Sequence, residues 1–278
     1  QNDDATPGTQ VFRGLGPVPQ SAAGWQTHVA LEGAGGFTSS VMAFGTGVAI
    51  LHASGGSLLC TRTGTLTPSG PGDWATHTVD ATASPASMSG ATVRGQLCAV
   101  YVTGLSEVVL RFVFTSKSAP SVAGDWQTHQ MVEGEIGARG HPALVSLDNR
   151  AVVGKFSDRT GDYMVFKATN AEPTSHTHWQ FIGGIADLVT RFGERDSLAV
   201  VNGRLVLGAT ANFGDGLLVA RPLVANPTGN ADWDVQAADL ITPFGFDPSL
   251  TQHGNKIIAV HRRSNGDGFR VVRALGFW

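Results

Sequence analysis

Tryptophans stand at Trp25, Trp74, Trp126, Trp179 and Trp233, at intervals of 49, 52, 53 and 54 residues. Each sits in a related context: GWQTH, GDWATH, GDWQTH, THWQF and ADWDV. A Pro-containing loop precedes most of them (TPSGPGDW, APSVAGDW, EPTSHTHW, NPTGNADW). Upstream of the loop lies an apolar stretch such as VVLRFVF, YMVFKA or LLVARPL, and before that a turn such as SDRTGD, ANFGDG or SNGDG. Earlier still come two short apolar strands, as in SLAVVNGRLVLGA. A period of this length marks a repeat architecture. Each unit reads as four short strands, A to D from the inside outward, with the tryptophan on D. One unit cannot bury both faces of its own sheet, but five set radially can. Thirty-six glycines, 13 prolines and only 15% charged residues suit many short strands joined by tight turns rather than long surface helices.

The last unit, from Ile241, has strands A to C but no tryptophan strand after them, whereas Gly24-Trp25-Gln26-Thr27-His28 supplies one at the start. The expectation is an all-β, five-bladed β-propeller of four-stranded blades spanning residues 1–278 as one domain. Its ring would be closed by the N-terminal strand joining the C-terminal blade. Trp278 follows directly on FRVVRALGF, at the end of a strand C, and does not count as a sixth. The stretches PSLTQHGNKIIAVHRRSNGD and DSLAVVNGRLVLGATANFGD resemble a secreted propeller repeat with a PSL-like opening, a central Gly and a GD about twenty residues on. That resemblance implies the fold and carries no activity. The polar opening QNDDATPGTQ reads as the start of a mature secreted chain whose leader has been removed.

Several function classes fall away. A net charge of −3 without a basic stripe argues against a nucleic-acid partner. No apolar run is long enough for a membrane-spanning helix. GxSxG, HExxH, GxxxxGK[ST], a helix-opening GxGxxG and the SxDxGxTW box of sialidases are all missing. No cofactor or metal is expected. Cys60 and Cys98 lack CxxC spacing and form either a disulfide or two buried thiols. The one Asn-x-Thr, at Asn226, is blocked by Pro227.

In a propeller the D-to-A and B-to-C connections share one face, around the mouth of the central channel, and loops on a rigid scaffold are where binding usually resides. Aligned late on strand B are His52, Tyr101, Lys155, Ala209 and His261. Scaffold positions repeat while these diverge, which reads either as one asymmetric pocket or as a solvated rim. On the first reading His261, Lys155, His52 and Tyr101 are catalytic candidates, as proton exchangers or donors to a developing oxyanion. Thr38, Met88, His141, Arg191, Asp196, Phe244, Phe246 and Asp247 are substrate-binding candidates from the D-to-A connections. Asp196 and Asp247 are also the carboxylates that a glycosidase reading would use.

The partner expected is a small organic molecule or a glycan. The leading expectation is a cofactor-independent cyclase or isomerase, such as a cycloaddition catalyst of natural-product biosynthesis. In size and architecture the chain is similar to propeller-type hetero-Diels–Alderases. One alternative is a carbohydrate-binding lectin, because five-bladed tachylectin-type proteins bind sugar once per blade. Another is a secreted interaction module without a small-molecule pocket. The histidines three residues after tryptophan, His28, His77 and His129, read as structural hydrogen-bonding groups. His176 and His178 form an HxH with no evident third ligand.

Overall fold

The computed structural model describes residues 8–14, 25–32, 38–103, 108–132, 140–157, 162–185, 197–210, 216–239, 244–254, 256–263 and 268–274. For 8–14, 25–32, 184–185, 210, 244–247 and 263 it describes the backbone alone. Strands β1 (Gly8–Gly14) and β2 (Trp25–Glu32) form an antiparallel pair. Four four-stranded antiparallel blades follow. Blade one is β3 (Ser39–Phe44), β4 (Gly47–Ser54), β5 (Ser57–Thr63) and β6 (Trp74–Asp80). Blade two is β7 (Pro85–Val93), β8 (Gln96–Thr103), β9 (Leu110–Thr115) and β10 (Gln127–Gln130). Blade three is β11 (Ala143–Leu147), β12 (Arg150–Phe156), β13 (Tyr163–Ala168) and β14 (Trp179–Ile185). Blade four is β15 (Ser197–Val201), β16 (Arg204–Thr210), β17 (Leu217–Pro222) and β18 (Trp233–Asp239). A fifth sheet holds β19 (Phe244–His253), β20 (Lys256–Arg263) and β21 (Phe269–Arg273).

The turn chemistry explains the strand breaks. Three of the A-to-B hairpins turn on Arg94-Gly95, Asp148-Asn149 and Asn202-Gly203, and both residues of each pair have positive φ. Such two-residue turns match the twist of the flanking strands, and Asn, Asp and Gly tolerate the left-handed conformation best. The inner strands lie side by side in chain order: β3 by β7, β7 by β11, β11 by β15 and β15 by β19. Serine hydroxyls stitch them together. Ser40 Oγ accepts from the Gly90 amide (2.9 Å), Ser89 Oγ from Leu144 (3.1 Å) and Ser197 Oγ from Leu250 (3.1 Å). Blade three has Ala143 at this place and so lacks the hydroxyl.

Each seam between blades holds its own core. Trp126 sits in the seam of blades one and two with Leu51, Leu58 and Tyr101. Trp179 sits in the next with Phe112, Val153 and Phe166, and Trp233 in the third with Val165, Leu205 and Leu207. Two of these indoles are anchored across the seam. Trp126 Nε1 donates to His77 Nε2 (3.2 Å), and Trp179 Nε1 to His129 Nε2 (2.9 Å). His77 and His129 are thus structural acceptors, while the His28 side chain lies outside the described residues. Before Trp74, Trp126, Trp179 and Trp233 a short 3-10 turn is capped by a side chain: Asp73, Asp125 and Asp232 accept backbone amides of Ser69, Ser121 and Thr228. In blade three His178 Nδ1 does the same for Thr174 (3.1 Å), which gives the HxH a role in the scaffold.

The fifth blade departs from expectation at its edge. β2 was expected to complete it, but β2 pairs with β1, Trp25 opposite Gly14. Closing the short β1–β2 connection costs less chain entropy than meeting a strand at the far end of the sequence. β2 still touches the turn at Pro71–Asp73, as β6 touches Ala123–Asp125 and β14 touches Asn230–Asp232, so it follows the outer-strand track. Among the described residues β21 has no fourth strand beside it. Phe269 and Val271 on it are 73% and 69% exposed, whereas their counterparts Leu217 and Val219 are 0% and 3% exposed.

Candidate functional site

Strand register puts the sequence-derived candidates at one end of each blade, because Ser39 pairs with His52 and Met88 with Tyr101. The side chains then point into separate seams, and each is buried. His52 Nε2 meets Thr61 Oγ1 (3.1 Å), which in turn bonds Thr76 Oγ1 (2.7 Å). Burial pushes the His52 imidazole down to about 4. Lys155, fully buried, donates through Nζ to the Phe156 carbonyl (2.7 Å).

Tyr101 and His261 share one arrangement. Tyr101 Oη donates to Asp80 Oδ2 (2.8 Å), and Arg111 is its cross-strand partner. His261 Nε2 lies 3.3 Å from Asp239 Oδ2, to which Arg270, its own cross-strand partner, donates through Nε (2.7 Å). Asp80 and Asp239 each stand six residues after their tryptophan, on the last strand of the preceding blade. Burial raises the Tyr101 phenol above its ordinary range, and Asp80 adds to this. Burial lowers the His261 imidazole, against the pull of the Asp239 carboxylate.

Thr38 and Met88 meet across the first seam, where the Met88 amide donates to Thr38 Oγ1 (3.1 Å), and the Met88 side chain belongs to the hydrophobic core. His141 is half-buried just before β11. Arg191 and Asp196 lie outside the described residues, as do the side chains of Phe244, Phe246 and Asp247. At backbone level β19 is irregular between Phe246 and Ser249, opposite His261. Cys60 and Cys98 are free and buried, and burial pushes both thiols up to about 12. Among the described residues no group of histidine, cysteine and carboxylate side chains could hold a metal ion, and no helix is long and apolar enough to cross a membrane.

Among the described residues, cavities of about 280 Å³ lie at two other places. One is apolar and lies between blades four and five, lined by Val219, Ala238, Ile257, Ala259, Val272, Arg273 and Ala274. By register Ile257, Ala259 and Val272 correspond to Leu205, Leu207 and Ala220, which pack with Trp233 one seam earlier. Among the described residues no tryptophan side chain belongs to this last seam. The cavity therefore marks a tryptophan position of the repeat.

The other cavity is a cleft between blades three and four. The A-to-B turns of both blades wall it with Asp148, Asn202, Gly203 and Arg204, and Pro222–Pro227 closes one side. Ile182, Leu205 and Leu223 supply apolar surface, and Leu223 is 60% exposed. This is the face opposite the connections favoured from sequence. Its openness has a local cause. In the first seam Arg62 crosses and donates through Nε to the Pro120 carbonyl (3.0 Å). In the second Gln96 Nε2 crosses to Glu172 Oε1 (2.7 Å). Lys167 is the register counterpart of Arg62, but it turns back to Asp148 of its own blade, Nζ to Oδ2 3.5 Å. Pro227, the counterpart of Pro120, is left lining the cleft.

With this geometry in view, comparison with solved structures gives its answer. A Trypanosoma rangeli sialidase in complex with the inhibitor DANA superposes with a TM-score of 0.57 at 13% identity, over 92% of this chain and 49% of that one. The Trypanosoma rangeli sialidase by itself gives 0.56 at 12%, over 91% and 47%. This chain is a β-propeller. It spans about half the length of those sialidases, and at such identity the propeller shares a fold with them and nothing finer. An α-L-arabinofuranosidase from Lactobacillus brevis also superposes, with a TM-score of 0.49 at 11% identity over 84% of this chain and 89% of that one. No family model matches the propeller, and no curated protein does. Nothing in the cavities or the neighbours supports cycloaddition chemistry.

Sequence reasoning missed the cleft. The one signal for it was the pair of Asx-containing turns, Asp148-Asn149 and Asn202-Gly203, facing the Pro-bounded loop NPTGNADW.

Proposed function

We propose that this propeller binds carbohydrate, and that the cleft between blades three and four is its sugar site. A pyranose presents hydroxyls around its rim and an apolar C–H face. A site for it needs hydrogen-bonding side chains beside apolar surface, on a concave and largely preformed wall. The cleft offers Asp148 as acceptor, Asn202 as both donor and acceptor, and Arg204 as donor, beside Leu205, Pro222 and Leu223. Its volume of about 280 Å³ suits one or two sugar rings. The observation that carries the reading is that the first two seams are bridged by Arg62 and Gln96 while this one is open. A glycan is also the ligand class suggested by the fold neighbours, one of which is a sialidase in complex with sialic acid. The reading differs from a tachylectin-like one in stoichiometry: one site per chain instead of one per blade.

The test is isothermal titration against glycans selected on an array, with Leu223→Asp as the control. Leu223 is exposed, so the variant keeps its Tm. Its carboxylate sets a charge where the sugar's apolar face would lie, and binding drops at least tenfold, equivalent to about 1.4 kcal/mol. Five equivalent sites per chain, or undiminished binding by Leu223→Asp, would place the sugar elsewhere.

A further inference from the structure

We infer that the ligand of this cleft is an anionic sugar, one carrying a carboxylate or a sulfate; the inference rests on the sugar-site reading above. Two cations, Lys167 and Arg204, line the cleft against one carboxylate, Asp148. Lys167 and Asp148 are paired at 3.5 Å. Arg204 is exposed and has no ion-pair partner among the described residues. The local balance is therefore positive, on a chain whose net charge is −3. A surface that is acidic overall does not concentrate anions by itself, so the positive sign here belongs to the cleft.

Placement of the cation matters as much as its sign. Arg204 opens β16 directly after the Asn202-Gly203 turn, where Asn202 has φ +51° and Gly203 φ +73°. The turn is also held to the last blade: the Asn202 amide donates to Gln252 Oε1 (3.0 Å), and Gln252 Nε2 donates to Asn202 Oδ1 (3.0 Å). The root of Arg204 is thereby fixed, while its guanidinium stays available. A guanidinium presents a planar fork that matches a carboxylate or a sulfate edge in a bidentate way. Lys167 lies across the cleft as a point charge. Its pair with Asp148 is long, and Asp148 is 71% exposed, so the pair is weak and leaves donors of the ammonium for a ligand anion. The seam of blades four and five sets Arg221 and Lys256 at the same two positions, but there Arg221 Nε donates to Asp234 Oδ2 (3.2 Å); the first two seams lack the combination. At the Arg204 position blade one has Gly47 and blade two has Gln96, which already bonds Glu172. The Lys167 counterpart Arg62 is bonded to Pro120.

The experiment is a glycan array carrying neutral, uronic-acid and sulfated glycans, followed by titration of the best binders with wild type and Arg204→Gln. The expected result is that bound glycans carry an acidic group. Arg204→Gln should weaken them about tenfold, as fits a charge-assisted hydrogen bond at an exposed site, and should lower the salt dependence of binding. The uronic and sulfated arms distinguish the two sources of the anion. If neutral glycans bind as well as acidic ones and Arg204→Gln changes nothing, the anionic preference is wrong while the sugar site stands. If no glycan of any class binds, both readings fall together.

Discussion

The seam between blades one and two and the seam between blades four and five carry the same polar lock, built with one exchanged residue. In the first, Asp80 accepts from the phenol of Tyr101 beside Arg111. In the last, Asp239 faces the imidazole of His261 and accepts from Arg270. The aspartates occupy one repeat position, six residues after Trp74 and Trp233, and each arginine is the cross-strand partner of the aromatic residue. The corresponding residues of blades two and three are Val132 and Ile185, so only two of the described strand-D ends carry a charge here. Polar divergence within a repeat can thus report which neighbour a side chain meets across a seam. It need not report a shared pocket. The difference between the two locks is chemical. A phenol stays a neutral donor at every pH below its own high pKa, whereas an imidazole can take up a second proton.

Acid gives the largest way to separate such groups. His52 and His129 are both held at about 4 by burial, below the 6.5 of the unfolded chain, with His178 adding repulsion at His129. When pH falls through 6.5 the unfolded state takes up protons first. The stability these residues give is therefore complete above that value and is lost progressively down to about pH 4. Buried His52 accounts for about 3 kcal/mol at the acid end, and part-buried His129, screened by solvent, for less. Nε2 of His129 must also stay unprotonated to accept from Trp179, so acid breaks that anchor directly. Denaturant melts from pH 7.5 to 4.5, followed by tryptophan fluorescence, should show the midpoint falling steadily below pH 6.5. A flat profile down to pH 4.5 would contradict the neutral, buried histidines.

Next in size is removal of the aspartates. Asp239→Ala leaves Arg270 and His261 without their acceptor in a largely buried site, and costs about 3 kcal/mol. Asp80→Ala leaves a neutral hydroxyl unsatisfied and releases the turn at Thr82, at about 1–2 kcal/mol. Thermal melts at pH 7.5 should order the variants wild type, Asp80→Ala, Asp239→Ala. The reverse order would mean that the phenol lock carries the greater strain.

Much of the architecture was legible before any coordinates. Tryptophan spacing located the blades, and His77 and His129, read as structural hydrogen-bonding groups, do accept from the indoles of Trp126 and Trp179. These signals are local or strictly periodic, so a single chain displays them. The locks were not legible, because pairing Asp80 with Tyr101 requires knowing that a strand-D end meets strand B of the following blade. The cleft was hidden for a related reason. It exists because Lys167 folds back to Asp148 where Arg62 crosses its seam, a choice made by side-chain geometry between residues of the same charge. Nor did the tryptophan at position 25 foretell that its strand would pair with β1.

The smallest effect is the most specific test of the comparison. Exchanging the two aromatic residues, with His261→Tyr in one chain and Tyr101→His in another, moves the titrating group from one seam to the other. Both sites are buried, so each variant carries a packing cost of about 1–3 kcal/mol. That cost is the same at every pH, and it cancels when stability is read as the difference between pH 7.5 and pH 5.5. His261 is lowered by burial, with Arg270 adding to this and Asp239 opposing it. It therefore contributes stability above pH 6.5 that is lost on acidification. His261→Tyr removes that loss and shrinks the pH difference. Tyr101→His adds a buried imidazole beside Asp80 and Arg111 and enlarges it. If both variants keep the wild-type pH difference, the two seams are alike only in outline, and the imidazole at 261 is held neutral by something other than its burial beside Asp239.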